Sequence, residues 1–174
     1  MQKKVDAKRL TTLAMLLTAA FILSWIELMV SLPMVVPGIK IGLANLAILF
    51  SIYYCGSRDT LGILCGRLVL NAILFGNAAS LIYSVSGGLL SFAVMCIAKK
   101  ILPDKMITVS IIGGVFHNIG QLAAAMVVLK TPMLIYYMPY LIIGGIAAGA
   151  FNGFVVKRIL SCSFFSSKNI TKIS

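Results

Sequence analysis

Residues 106–129 read MITVSIIGGVFHNIGQLAAAMVVL, a run with no lysine, arginine, aspartate or glutamate. As a helix it rises about 36 Å at roughly 1.5 Å per residue, enough to cross the ~30 Å hydrocarbon core of a bilayer. Pro103, Asp104 and Lys105 precede it, and Lys130 and Pro132 close it. The rest of the chain has the same character. Of its 174 residues 60% are apolar and 11% charged, with a mean hydropathy of +1.05. A soluble domain carries about 45–50% apolar and about 25% charged residues. So large an apolar excess cannot be buried in one core and still leave a polar surface for water. A soluble enzyme, a nucleic-acid-binding domain and a disordered chain are excluded. The class that remains is an all-α polytopic membrane protein in the cell membrane, with the whole chain, 1–174, as one integral membrane domain.

Working outward from 106–129, further apolar stretches predict spans at about 10–31, 41–54, 60–75, 79–98 and 132–156, six in all. Those at 41–54 and 60–75 are short against the roughly 20 residues that a crossing needs. The first follows a basic N-terminus without a small-residue cleavage site, and reads as a retained span. Residues 161–174 are polar and basic and read as a flexible cytoplasmic tail.

Fifteen basic residues against four acidic ones give a net charge of +11. They stand in short clusters between apolar stretches, as topology signals do, and no nucleic-acid recognition motif accompanies them. With the N-terminus inside, the inner loops and tails hold Lys3, Lys4, Lys8, Arg9, Arg58, Lys99, Lys100, Lys105, Lys157, Arg158, Lys168 and Lys172. The outer side holds Lys40 and Lys130, and Arg67 falls within a span. The rule therefore predicts both termini in the cytoplasm. Cys55, Cys65, Cys96 and Cys162 form no CxxC pair and read as small hydrophobes.

Strongly polar groups at membrane depth are costly and face a cavity or a partner. Glu27 falls late in the first span, Lys40 just after the proline-rich segment that holds Pro33, Pro37 and Gly38, and Asn45 early in the second. Arg67 is near the middle of the third span, and Asn71 is one turn further on the same face. His117, Asn118 and Gln121 cluster in the fifth. These residues are expected to converge on the middle and outer half of the membrane, while Asn152, late in the sixth span, falls in the inner half. The pattern suggests a pocket open to the outside and gated by the loop at Pro33–Gly38. Lys40, Arg67 and His117 would favour a carboxylate or phosphate there.

Each residue has a structural alternative. Glu27 can neutralise Arg67 or Lys40, Lys40 can snorkel to the interface, and His117 can be a hydrogen-bonded interior histidine. Asn45, Asn71, Asn118 and Gln121 can be interhelical contacts.

Gly145, Gly149 and Gly153 recur at every fourth position, the spacing that lets helix backbones approach closely. Ala14 and Thr18 form a similar small pair in the first span. They serve either packing or the docking of another membrane subunit. The chain has no Walker A sequence and no aspartate pair suited to magnesium. No serine–histidine–aspartate set sits at one depth. These features predict no metal, no cofactor and no catalytic role of its own.

The stretches Pro37-Gly-Ile-Lys-Ile-Gly-Leu-Ala-Asn-Leu46, Cys65-Gly-Arg-Leu68 and Gly113-Gly-Val-Phe-His-Asn-Ile-Gly-Gln-Leu122 resemble the family labelled heptaprenyl diphosphate synthase component I, also called Gx transporters. The resemblance covers about residues 10 to 158. The synthase label implies an accessory subunit that assembles with a soluble prenyl diphosphate synthase. The transporter label implies a likeness to the substrate-binding S component of an energy-coupling factor (ECF) transporter. On that likeness, Lys40, Asn45, Arg67, Asn71, His117, Asn118, Gln121 and Glu27 would bind a small anionic, vitamin-like or isoprenoid-precursor molecule. Ala14 and Thr18 would dock on a membrane coupling subunit, and ATP would be used only by two partner ATPases. S components carry alanine at both positions of that docking pair, whereas this chain has Thr18 at the second.

Overall fold

Turn residues cut the apolar sequence into helices. The computed structural model describes residues 7–29, 42–75 and 78–162. Among these residues the chain forms six α-helices and no strand: α1 (Ala7–Met29), α2 (Ala44–Tyr54), α3 (Ser57–Phe75), α4 (Ala78–Ile101), α5 (Met106–Leu129) and α6 (Met138–Ser161). A 3-10 turn, Pro132–Tyr137, precedes α6. Gly56, at φ +86°, makes the left-handed step between α2 and α3. Lys130 ends α5 in the left-handed region and donates its N–H back to the last turn. Pro139 stands in the first turn of α6, where its missing N–H costs nothing.

Among the described residues four segments are long and apolar enough to cross a membrane: α1, α4, α5 and the turn with α6. This is a membrane protein with an all-helical fold. At α3, Arg58, Asp59 and Arg67 interrupt the apolar run. Where the sequence suggests a span over 41–54, the structure has a helix of 11 residues. That helix is only about 16 Å long, half a hydrocarbon thickness. The sixth segment opens with a 3-10 turn, because Pro132 and Pro139 favour a tight turn before the helix proper.

α2 is the most enclosed element. Ala44, Asn45, Ala47 and Ile48 to Ile52 are all buried, and α2 touches each of the other five helices. α5 is packed between α4 and α6, while α1 lies against α2 and α3. Side-chain ties bring one set of helix ends together. Arg9 pairs with Asp59 at 2.6 Å, joining the starts of α1 and α3. Lys99, near the end of α4, donates to the Ile52 carbonyl at 2.6 Å and lies over the Tyr53 ring. The start of α5 meets the end of α6 where Gly153 faces Ile107. Arg58, Lys100, Lys105, Lys157 and Arg158 belong to the same basic end. The four cysteines are free thiols, with Cys65 and Cys162 exposed rather than buried. Burial, with the Asp59 carboxylate nearby, pushes the Cys55 thiol up to about 11, so it stays protonated at neutral pH.

Glycines set the spacing of α4, α5 and α6. A Cβ added at Gly149 would lie 2.6 Å from the Ile111 Cα and 2.7 Å from the Ser110 carbonyl. At Gly145 it would lie 2.9 Å from the Gly114 carbonyl, and at Gly153 2.8 Å from the Ile107 Cα. On the other face of α5, a Cβ at Gly120 would meet the Gly87 Cα at 2.9 Å. These neighbours are backbone, which cannot yield as a flexible side chain can. Gly144, in contrast, has open space around it. Gly149→Ala is therefore expected to cost about 1–3 kcal/mol by overpacking. Gly144→Ala should be neutral or stabilising by up to about 1 kcal/mol through helix propensity. Thermal unfolding of both purified variants in one detergent checks the pair, and equal melting temperatures would contradict the packing.

Candidate functional site

Because α2 is short, its first turn lies inside the bundle. Gly42, at φ +94°, leads the chain into it beside His117, which is at the midpoint of α5. A Cβ at Gly42 would fall 3.2 Å from Asn45 Nδ2 and 3.3 Å from His117 Cδ2, so the position needs glycine for both conformation and space.

The first N–H groups of a helix have no partner within it, and in a low-dielectric interior they must find one elsewhere. Leu43 stands at the N-cap and supplies no side-chain cap. Glu27 of α1 does this instead: its Oε1 accepts from the Gly42 N–H and, at 3.3 Å, from the Leu43 N–H. Its negative charge also suits the positive end of the helix dipole. The Gly42 carbonyl accepts from Asn45 N–H at 3.0 Å and from Asn152 Nδ2 at 3.1 Å. At the opposite end of α2, Lys99 on the Ile52 carbonyl supplies the matching cation. One acid and one base, from two other helices, terminate this helix.

Arg67 of α3 is only 4% exposed. Its Nη1 donates to Ser24 Oγ at 3.3 Å, while Nε and Nη2 have no hydrogen-bond partner. Ser24 and Glu27 are three residues apart on α1 and share a face, and Glu27 is the carboxylate whose charge acts on Arg67. Two consecutive glycines of α4 leave room on the other side. A Cβ at Gly88 would lie 3.4 Å from Arg67 Nη2, and one at Gly87 would lie 3.1 Å from His117 Nδ1. His117 and Gln121 are hydrogen-bonded through their Nε2 atoms at 2.9 Å. Asn118 turns toward α6 and donates to the Leu141 carbonyl at 2.7 Å.

The structure thus gathers Glu27, Asn45, Arg67, His117 and Gln121 around the first turn of α2. Asn71 is buried one turn beyond Arg67, and Asn118 bridges α5 to α6. Lys40 and the gating residues Pro33, Pro37 and Gly38 lie outside the described residues. Asn152 belongs to the cluster rather than to a separate inner region. The bond to the Gly42 carbonyl brings it there, because the half-length α2 starts inside the bundle. Ser24 was also missed; its place one turn before Glu27 on the same helical face was the available signal.

Donors without partners remain at Arg67 Nε and Nη2 and Asn45 Nδ2, and acceptors at the Oδ1 atoms of Asn71, Asn118 and Asn152. A buried polar atom left unpaired costs about 1–3 kcal/mol, and such groups are paired by water or a ligand. Two parallel guanidinium donors suit a carboxylate or phosphate.

Away from this cluster, Ala14 and Thr18 are exposed on α1, with Thr18 Oγ1 turned back onto the Ala14 carbonyl at 2.9 Å. Ala14 also lines a groove of about 350 Å³ between α1 and α3 at the basic end, with Leu10, Leu17, Arg58 and Gly62. Gly145, Gly149 and Gly153 face α5.

A family model described as heptaprenyl diphosphate synthase component I matches residues 16–159. No curated protein and no solved structure matches the chain.

The capping of α2 yields a graded expectation. Glu27→Ala leaves two interior N–H groups unpaired and is expected to destabilise by about 2–4 kcal/mol. Lys99→Met removes one contact at a half-buried helix end and should cost about 1 kcal/mol. Unfolding of the two variants in detergent measures the difference, and the reverse order would contradict this assignment of the helix ends.

Proposed function

The chain belongs to the heptaprenyl diphosphate synthase component I family, and from that premise we propose that it is a multi-pass subunit of the cell membrane that captures a small anionic molecule, acting as the substrate-binding component of an ECF-type transporter. The observation that carries this reading is Arg67, a buried arginine with two guanidinium nitrogens still to be paired. Asn45, Asn71, His117, Asn118, Gln121 and Asn152 would orient the ligand around it, and Lys40 would add a second cation. The substrate class is a vitamin-like acid or an isoprenoid precursor.

The basic end of the bundle faces the cytoplasm in this reading, as the positive-inside rule requires, with both termini there. The ligand enters from the opposite side, beneath the loop at Pro33–Gly38. The exposed Ala14–Thr18 face of α1 is the docking surface for a membrane coupling subunit, and two partner ATPases supply the ATP hydrolysis. The chain itself is not an enzyme and holds no cofactor. Direction arises because ligand and coupling subunit prefer different conformations of one binding subunit.

A second reading is favoured by the family's description: a membrane accessory subunit that assembles with a soluble prenyl diphosphate synthase through the basic cytoplasmic loops. It predicts that adding this chain raises the partner's prenyl transfer or changes its product length, which the transporter reading does not.

Binding to the purified full chain tests the site, with isopentenyl diphosphate and nicotinate as probes of the two anion classes. Loss of a buried, hydrogen-bonded charge contact costs on the order of 2–5 kcal/mol. Arg67→Ala is therefore expected to bind the preferred anion at least about 30-fold more weakly while keeping its helical circular dichroism. Equal affinity in wild type and variant would contradict the proposal.

A further inference from the structure

The proposed anion site contains an anion of its own. Glu27, the single glutamate of the chain, is 5% exposed, and its carboxylate occupies the N–H groups of Gly42 and Leu43 at the first turn of α2. Where a helix begins inside a membrane bundle, its N-terminus attracts negative charge. Beside it, two nitrogens of an arginine that is 96% buried have no partner. Ser24, on the same face of α1 as Glu27, holds the third nitrogen. Asn45, three residues into the turn, keeps its Nδ2 unpaired and next to Gly42. An arginine and a helix N-terminus therefore act on one protein carboxylate: Glu27 Oε1 holds the two N–H groups, and its charge acts on Arg67.

We propose that Glu27 is a placeholder: an oxyanion of the ligand takes the Gly42 and Leu43 N–H groups from the Glu27 carboxylate while bonding Arg67 through Nε and Nη2. This rests on the anion-binding reading above and adds how occupancy is sensed. In the empty state Glu27 ties α1 to α2. When the ligand's oxygens replace it, Arg67 stands between two anions as counter-ion to both, and the end of α1 is released from the first turn of α2. Ligand capture is thereby converted into a change at the helix whose outer face carries Ala14 and Thr18. The ligand class is one with at least two oxygens on a single centre, a carboxylate or a phosphate.

Inorganic phosphate is the probe, used with the full chain in detergent and measured by equilibrium dialysis. Glu27→Gln keeps an oxygen to accept the two N–H groups but removes the competing charge, so it is expected to bind phosphate at least about tenfold more tightly than wild type. Because the chain has one glutamate, uniform 13C-glutamate labelling places one side-chain carboxylate signal in the infrared spectrum. On the wild-type protein that band should shift when phosphate binds, which keeps the test open if Glu27→Gln does not fold. Phosphate binding that depends on Arg67 but is not strengthened by Glu27→Gln, or that leaves the labelled band in place, overturns the placeholder and spares the anion site. Phosphate binding unaffected by Arg67→Ala, or absent from wild type and Glu27→Gln alike, overturns both.

Discussion

A helix that begins inside a bundle embedded in hydrocarbon cannot leave its first N–H groups to water, and this constraint organises the structure. α2 is about half the length of a membrane crossing, so one of its ends must lie within. The carboxylate of Glu27 terminates that end, and the ammonium of Lys99 terminates the other. Both charges come from other helices. Meeting the requirement therefore pins α1 and α4 to α2, and the Asn152 amide on the Gly42 carbonyl adds α6. Tertiary contacts thus perform the capping that a soluble helix obtains from its own neighbouring residues.

The close packing of α4, α5 and α6 is the second element. Glycine-to-backbone contacts draw these three helices together, and hydrocarbon surroundings make such packing worthwhile because lipid offers helices no hydrophobic incentive to associate. The same glycines have a consequence at the site. Gly87 and Gly88 keep the α4 wall free of side chains where His117 and Arg67 face it. Alanine at Gly87 would have to displace His117 and Gln121, whereas a Cβ at Gly88 would just touch Arg67 Nη2 at 3.4 Å. Gly87 thus serves both the packing of α4 on α5 and the polar site.

Much of the architecture is legible in the sequence because its signals are local. The uncharged run at 106–129 is bounded by Asp104, Lys105 and Lys130, and α5 occupies those same residues. Arg67 stands out because a charge within an apolar stretch needs an explanation, and Asn71 follows from its helical spacing. The start of α2 is not legible. Nothing within the apolar run after Ile41 shortens the helix; its beginning depends on the left-handed Gly42 and on a carboxylate fifteen residues earlier in the chain. The place of Asn152 beside Gly42 is not legible for the same reason, since it joins residues 110 positions apart. Ser24 carries little signal in a helix of ordinary composition, and it matters only because Arg67 reaches it from another element.

The buried arginine, the internally capped half-helix and the exposed face of α1 support a subunit that binds an anion and reports its binding to a partner. Affinity purification of the tagged full chain from its native membranes in mild detergent, with mass spectrometry of the co-purifying proteins, tests that account most directly. A subunit of this kind should bring down a membrane coupling protein together with two ATPases. Recovery of a soluble prenyl diphosphate synthase in their place would contradict it and move the function to the cytoplasmic loops.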